Sequence, residues 1–534
     1  MFPFTLPTLA IAAALGLLIC QLLPKRPKNL PPGPRPLPII GNALDFPPSN
    51  SVEYQHWLKH KDTYGGISAV HAMGMTLVIL HDRQAAQDLL ERDAAKTSGR
   101  PAMIFANKYC GYEDLLSSQG YNDTFRRYRK LLHRELGTKA SVLKFSDSQE
   151  VEVRRHLLRA LEEPDKWLDH YKTSAGATIL KMTYDYTIEP HRPDVLVDLI
   201  ERMMNEFSLA AVPLAWSVDL FPILGYLPES FPGLQFKKIA RRWRKTIRDV
   251  GYVPFQFVQR QMEAGRAKTS YTSKAIESFV TVNDATGVPQ LNREDAECIV
   301  WTAASLYGGA SDTTVMVLTT FTLAMIQWPD VQRKAQGEID RVVGTSRLPS
   351  FQDRGELPYV NAIVKEAFRW WPIAPMGFPH STDDDIEYRG YHIPKGSYLI
   401  PAVWWFLHDP EVYSSPEVFD PERFLKPRDE PDPGSDAFGY GRRVCPGRHF
   451  ADASIYLNIV QALATFNMEH AVDAAGNKIP VQAHDTHGIL NHPSKFRFKV
   501  SPRSAQHEEL IRKVGVEHPW EKSDASLLGG EGWA

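Results

Sequence analysis

Between Phe438 and Gly447 the chain reads Phe-Gly-Tyr-Gly-Arg-Arg-Val-Cys-Pro-Gly, and a helical apolar pattern starts near His449. Few folds accommodate such a segment, because it presents a cysteine sulfur at the start of a helix. There the helix dipole and nearby amides stabilise a thiolate, and a proline suits the first turn. Glycines let the backbone come close to a flat cofactor. Arg443, two residues before Cys445, is placed to bond a carboxylate of that cofactor, and Phe438 to lie against its face. An isolated cysteine is usually an inert core residue, but this spacing argues for a presented ligand. The other three cysteines, Cys20, Cys110 and Cys298, form no C-x-x-C pair. That argues against a disulfide framework or a structural zinc site and for a reducing compartment.

The chain has 534 residues, 43% hydrophobic and 23% charged, enough for one large globular unit or two to three smaller ones. Lys and Arg (61) nearly balance Asp and Glu (63), with no basic stripe, so no nucleic-acid partner is expected. From Phe4 to Leu23 there is no charge, and Lys25, Arg26 and Lys28 follow. At about 1.5 Å per residue such a run just crosses a bilayer core of about 30 Å. A cleaved signal peptide is the alternative, but the positive charges follow the apolar run, which favours an uncleaved anchor with a cytosolic catalytic domain. Residues 1–24 are therefore expected to be a transmembrane anchor and 25–49 a basic, proline-rich hinge. Residues 50–505 show no break and are expected to be one catalytic domain, and 506–534 a polar, poorly ordered tail.

Helical periodicity predicts helices over 147–161, 236–265, 293–327 and 331–343, while the apolar runs 76–80 and 397–400 suit a small sheet. The expected fold class is mainly α with a small β region. The greasy segment 220–228 either packs in the core or touches the bilayer. In the long helix, Gly308-Gly309-Ala310 precedes Ser311-Asp312-Thr313-Thr314. Paired glycines inside a helix cost about 1 kcal/mol each relative to Ala, so they either permit close packing or mark a local opening. In the second case Asp312 and Thr313 are the proton-handling groups. Glu366 and Arg369 stand one helical turn apart in an apolar context.

The loop resembles the haem-binding segment of the cytochrome P-450 family, F-x-x-G-x-R-x-C-x-G, with all five fixed positions present at Phe438, Gly441, Arg443, Cys445 and Gly447. The resemblance covers roughly residues 28–505 and is nearest to fungal membrane-bound members of the O-methylsterigmatocystin oxidoreductase type. It implies the family's single-domain fold, haem b with Cys445 as iron ligand, and a monooxygenase acting on an apolar small molecule, such as a fungal secondary metabolite. It also implies electrons from an NADPH–cytochrome P-450 reductase and a monomer in the endoplasmic reticulum membrane. Glu366-Ala367-Phe368-Arg369 looks like the family's E-x-x-R motif, and Pro421-Glu422-Arg423-Phe424 like the motif that completes a buried charge network. Gly309 to Thr313 is similar to the oxygen-activation motif, with Ala310 where many members have glycine. Arg129 and His380 match propionate-binding positions. Phe125 departs from the family's tryptophan and brings no indole N–H. Arg126, Arg127, Lys130, Arg442 and Arg448 either dock an acidic partner or are scattered solubilising charge. By position, Ala304, Ile373, Ala374, Met376 and the turn 488–490 line the substrate pocket. A haem-thiolate isomerase or dehydratase and a non-enzymatic haem protein remain as alternatives, which the Asp312–Thr313 pair disfavours.

Overall fold

Arg293–Gln327 is apolar on nearly every face, and such a helix must be buried. In the computed structural model it runs the full 35 residues, about 50 Å long, with the Asn292 side chain capping its first turn. The structure describes residues 27–529 except 39, 49–50, 73, 233 and 283–288. The expected anchor lies outside the described residues. Among those described, Arg293–Gln327 is the one helix long and apolar enough to cross a membrane, and its burial inside the protein makes it a core helix.

The helices of nine residues or more are α1 (Glu53–Tyr64), α2 (Asp123–Leu136), α3 (Ser146–Glu162), α4 (Trp167–Tyr184), α5 (Val195–Ala210) and α6 (Phe236–Glu263), followed by α7 (Tyr271–Phe279), α8 (Arg293–Gln327), α9 (Pro329–Val342), α10 (Pro358–Trp370), α11 (Arg448–Thr465) and α12 (Ala505–Glu517). The N-terminal half of α8 packs with α2, α5 and α6 in one apolar cluster containing Phe125, Met203, Ile247 and Tyr307. Its C-terminal half packs with α3, α4 and α9 to α11 in a second, containing Leu157, Trp167, Phe321, Ile363 and Leu463. Each fully buried Leu, Ile or Phe contributes about 1.5–3 kcal/mol. The mixed sheet is small: β1 (Ile67–Ala72), β2 (Met75–Leu80), β3 (His380–Ser381) and β4 (Tyr398–Pro401), in the order β1-β2-β4-β3. Strands β2 and β4 run parallel with Leu80 opposite Pro401, and the other pairs are antiparallel. The expected mainly α class holds, with 57% of residues helical.

Two local expectations are corrected or resolved. The segment 220–228 divides its apolar side chains: Leu220, Leu224 and Leu227 pack inward, while Phe221, Ile223 and Tyr226 are exposed. The described part of the expected tail, residues 506–529, is ordered. Ser504 caps α12, which buries His507, Ile511 and Val514 along one stripe against the body of the protein. The residues after it continue as a strap. Arg155 donates to the Pro519 carbonyl at 2.7 Å, Arg159 stacks on Trp520, and the Asp524 carboxylate accepts from the Thr187 amide at 2.9 Å. Average polarity concealed a narrow apolar stripe that was sufficient to dock the helix.

Candidate active site

The loop ahead of α11 is closed by its own backbone. The Cys445 amide donates to the Phe438 carbonyl at 2.8 Å, and that of Val444 to the Gly441 carbonyl at 3.3 Å. Gly441 has a φ of 53°, and a Cβ there would meet the Leu90 carbonyl oxygen at 2.4 Å, so only glycine fits. Gly447 is the N-cap of α11, which places the Cys445 sulfur beside the helix start, as the sequence predicts. Burial pushes the Cys445 thiol up, and the Gly447 amide, Arg129 and Arg448 pull it down. Phe438 meets Phe368 edge-on, with ring centres 5.0 Å apart.

Three guanidinium groups gather beside this loop. Arg443 Nε donates to the Ser98 carbonyl at 2.7 Å, whereas its two terminal nitrogens are buried without a hydrogen-bond partner. Arg129 donates to the Val444 carbonyl at 2.8 Å. Arg100, which sequence reasoning missed, donates to the carbonyls of Ser117 and Pro379 at 2.8 and 2.6 Å. None of the three has a carboxylate among its hydrogen-bond partners. Burial, reinforced by Arg100 and Arg129, pushes Arg443 down to about 8 although the nearby Asp383 carboxylate, which is not hydrogen-bonded to it, pulls the other way, and burial alone pushes Arg100 down to about 10. A buried cation without a counter-ion is costly unless an anion from outside completes the site. This cradle fits the two propionates of a haem and the loop fits its thiolate ligand. Phe125 is buried, and the Arg443 guanidinium lies 3.8 Å from its ring centre, so the residue that replaces the family's tryptophan meets Arg443 with its face instead of an N–H.

His380 is also drawn to the cluster. Its Nδ1 lies 2.8 Å from the Thr97 carbonyl, and burial and the Arg100 charge push it down to about 3. A neutral imidazole donating there presents Nε2 as an acceptor, so it can donate to an anion only when protonated.

On α8 the two glycines have different uses. A Cβ on Gly308 would stand 3.1 Å from Met203 Cε, so this glycine serves packing, while Gly309 has open space. The helix stays continuous, and Thr313 Oγ1 donates to the Gly309 carbonyl at 2.7 Å. Asp312 faces His492, with Oδ2 and Nε2 3.2 Å apart. Ala304 is fully buried, Ile489 and Leu490 are buried in the same apolar cluster, and Ile373 packs against it.

The expected charge network forms. Arg369 makes a two-pronged contact with Glu366 at 2.7 and 2.8 Å, and Arg423 Nε reaches Glu366 at 3.1 Å, with all three side chains fully buried. Glu430, which carries no signal in the sequence, is the fourth member, bonded to Arg423 at 2.7 Å. Two cations thus meet two carboxylates.

The family model described as cytochrome P450 matches residues 31–500. Cytochrome P450 monooxygenase CLM2 of Gibberella zeae is 49% identical over 506 residues, covering 94% of this chain and 95% of the relative. The multifunctional cytochrome P450 monooxygenase af510 of Aspergillus fumigatus is 47% identical over 524 residues, covering 98% and 97%. O-methylsterigmatocystin oxidoreductase of Aspergillus flavus is 38% identical over 523 residues, 96% of each chain.

Proposed function

The chain belongs to the cytochrome P-450 family, and from that premise we propose that it oxidises an apolar small molecule of fungal secondary metabolism with electrons passed from NADPH by a cytochrome P-450 reductase. Its enzyme class is that of the monooxygenases it resembles at up to 49% identity. The observation that carries the site assignment is the cluster of Arg100, Arg129 and Arg443 beside the Cys445 loop, whose unpaired buried charge calls for a dianionic cofactor. In this reading Cys445 would hold the haem iron as a thiolate, the form that the Gly447 amide, Arg129 and Arg448 favour against the effect of burial. Arg129, Arg443 and Arg100 hold the propionates. Phe438, Gly441 and Gly447 shape the thiolate side, and His380 lines the propionate side next to Arg100.

The haem supplies the binding and reductive activation of O2. Around it, Asp312 and Thr313 hold water and move protons toward the reacting oxygen, and the apolar walls at Ala304, Ile373, Ala374, Met376 and Gly488-Ile489-Leu490 exclude bulk water and orient the substrate. We place the protein in the endoplasmic reticulum membrane as a monomer. Residues 1–24 span the bilayer, 25–49 form the hinge and the catalytic domain is cytosolic. The exposed Phe221, Ile223 and Tyr226 support contact of that domain with the lipid surface.

Full-length protein co-expressed with the reductase and fed terpenoids, polyketides and indoles should yield a product carrying oxygen from isotopically labelled O2. The reduced carbon monoxide complex should show the absorbance band for which the family is named, and Cys445→Ala should lose it. A product free of label favours the isomerase reading, and an unchanged band in the variant removes Cys445 as ligand.

A further inference from the structure

Asp312 is held by a residue far away in sequence. His492 Nε2 and Asp312 Oδ2 stand 3.2 Å apart as an ion pair, and these two atoms are shielded from solvent and have no hydrogen-bond partner elsewhere among the described residues. Several anchors fix where His492 stands. Its amide donates to Thr486 Oγ1 at 3.0 Å, the Asn491 amide to the Ile373 carbonyl at 2.8 Å, and Trp371 Nε1 to the Asn491 carbonyl at 3.2 Å. Pro493 follows and biases the His492 backbone toward an extended form. A loop pinned at successive residues is expensive to form unless the side chain it presents is needed in one place.

The charged groups bearing on His492 come from three helices: Asp312 on α8, Lys172 on α4 and Glu201 on α5. Lys172 and Glu201 are joined by a salt bridge, and their side chains are 34% and 40% exposed against 28% for His492 and 14% for Asp312, so exposure falls step by step from the outer pair to the carboxylate. Burial pushes the imidazole down, but the Asp312 carboxylate more than offsets it, leaving His492 raised. The imidazole is therefore charged over a wider pH range than a free one, next to the carboxylate that the monooxygenase reading places in proton delivery.

We propose that His492 is the positioning residue for proton delivery through Asp312. It holds the carboxylate in one orientation and, when protonated, is the reservoir that resupplies it, with Lys172 and Glu201 linking the pair to solvent. The inference rests on the monooxygenase reading. In the productive reaction one substrate, one O2, two electrons from the reductase and two protons give one hydroxylated product and one water. If the protons arrive in the wrong place, one O2, two electrons and two protons leave as hydrogen peroxide, and the substrate is untouched. Asp312 and His492 decide between these outcomes without being consumed, since each proton they pass on is replaced from solvent.

The test uses full-length haem-loaded protein with reductase and NADPH and needs no identified substrate. Without one, an O2 whose protons arrive in the right place takes four electrons from two NADPH and leaves as two waters, whereas a misprotonated O2 takes two electrons from one NADPH and leaves as hydrogen peroxide, so peroxide formed per NADPH consumed reads the partition. In the parent this ratio should rise severalfold as pH climbs through the His492 titration. His492→Gln keeps a donor but cannot titrate, and should give a flat profile. His492→Phe should match Asp312→Asn in its high peroxide yield. Independently, exchange of the imidazole C2 hydrogen, followed by mass spectrometry on the peptide containing His492, should titrate above the ordinary value of about 6.5 and fall in Asp312→Asn. A His492→Gln profile like the parent's overturns the proposal, as does an exchange midpoint indifferent to Asp312→Asn. Failure of the parent to reduce O2 at all overturns the monooxygenase reading and the delivery role with it, whereas an unshifted midpoint in an active parent overturns the pairing alone.

Discussion

Arg443 carries an energetic conflict that haem resolves. Its two terminal nitrogens are buried and unpartnered, and burial pushes it down to about 8. An apolar residue of similar length should relieve that cost in the haem-stripped protein and remove a propionate partner in the loaded one. Arg443→Met is therefore expected to raise the thermal midpoint of the stripped form while speeding haem loss to apomyoglobin. A charge-assisted hydrogen bond contributes about 1.5–3 kcal/mol, so the speeding should be roughly 10- to 100-fold. Arg443→Lys should recover only part of the retention, because a compact ammonium cannot span two oxygens or stack on Phe125 in the same way. Equal haem loss from all three proteins rules out the propionate role. A second buried charge gives a pH signature. Asp219 accepts from the Phe105 amide at 2.8 Å, and burial pushes it up to about 6 from 3.8, against the pull of that amide and two others. An acid raised in the folded state contributes stability that is present below its unfolded value and lost as pH rises through the folded one. Moving from about pH 5 to pH 8 should therefore shift relative stability toward Asp219→Asn by about 1–2 kcal/mol. A pH-independent difference in unfolding midpoint would show that Asp219 is not raised.

The strap beyond α12 secures three helices at once. Trp520 lies under Arg155 and Arg159 of α3, Glu521 reaches Arg155 at 3.3 Å and Lys181 of α4 at 3.5 Å, and Arg260 of α6 donates to the Leu528 carbonyl. Trp520→Ala should cost about 2–4 kcal/mol, through lost packing and two lost cation–π contacts, and this is readable as a lower unfolding midpoint with an unchanged haem spectrum. A variant as stable as the parent means that the strap merely rests on the surface. The main helices were legible because burial imposes a period of 3.6: the expected 293–327 is the observed α8, and 147–161 falls within α3. The Cys445 loop was legible because its chemistry needs particular residues at adjacent positions. What could not be read was assembled across the chain. Arg100, Glu430 and His492 reach their sites through backbone placement, and nothing local to each distinguishes it from a surface charge. The C-terminal helix lies between these cases. The spacing of His507, Ile511 and Val514 after Ser504 is helical, but three apolar-facing positions among many charges fall below what composition reveals.

At the scale of the whole molecule the open issue is orientation relative to the membrane, and the fold supplies a reporter. The proposed anchor is followed by Lys25, Arg26 and Lys28, and positive charge next to a spanning helix is retained on the cytosolic side. The sequence Asn122-Asp123-Thr124 is a glycosylation acceptor, and glycans are added only in the lumen. Asn122 is exposed at the start of α2, where its side-chain oxygen accepts from the Phe125 amide at 2.8 Å. Its amide nitrogen can therefore carry a sugar without breaking the cap, and burial would not explain an unmodified asparagine. Full-length protein made in a fungal host is expected to show no mobility change on endoglycosidase treatment, and its catalytic domain should be digested by protease in intact microsomes. Replacing Lys25, Arg26 and Lys28 together by glutamate should weaken the bias, so that part of the population becomes glycosylated at Asn122 and protected from protease. A glycan on the parent at Asn122 would reverse the proposed topology, and with it the access of a cytosolic reductase to the haem domain.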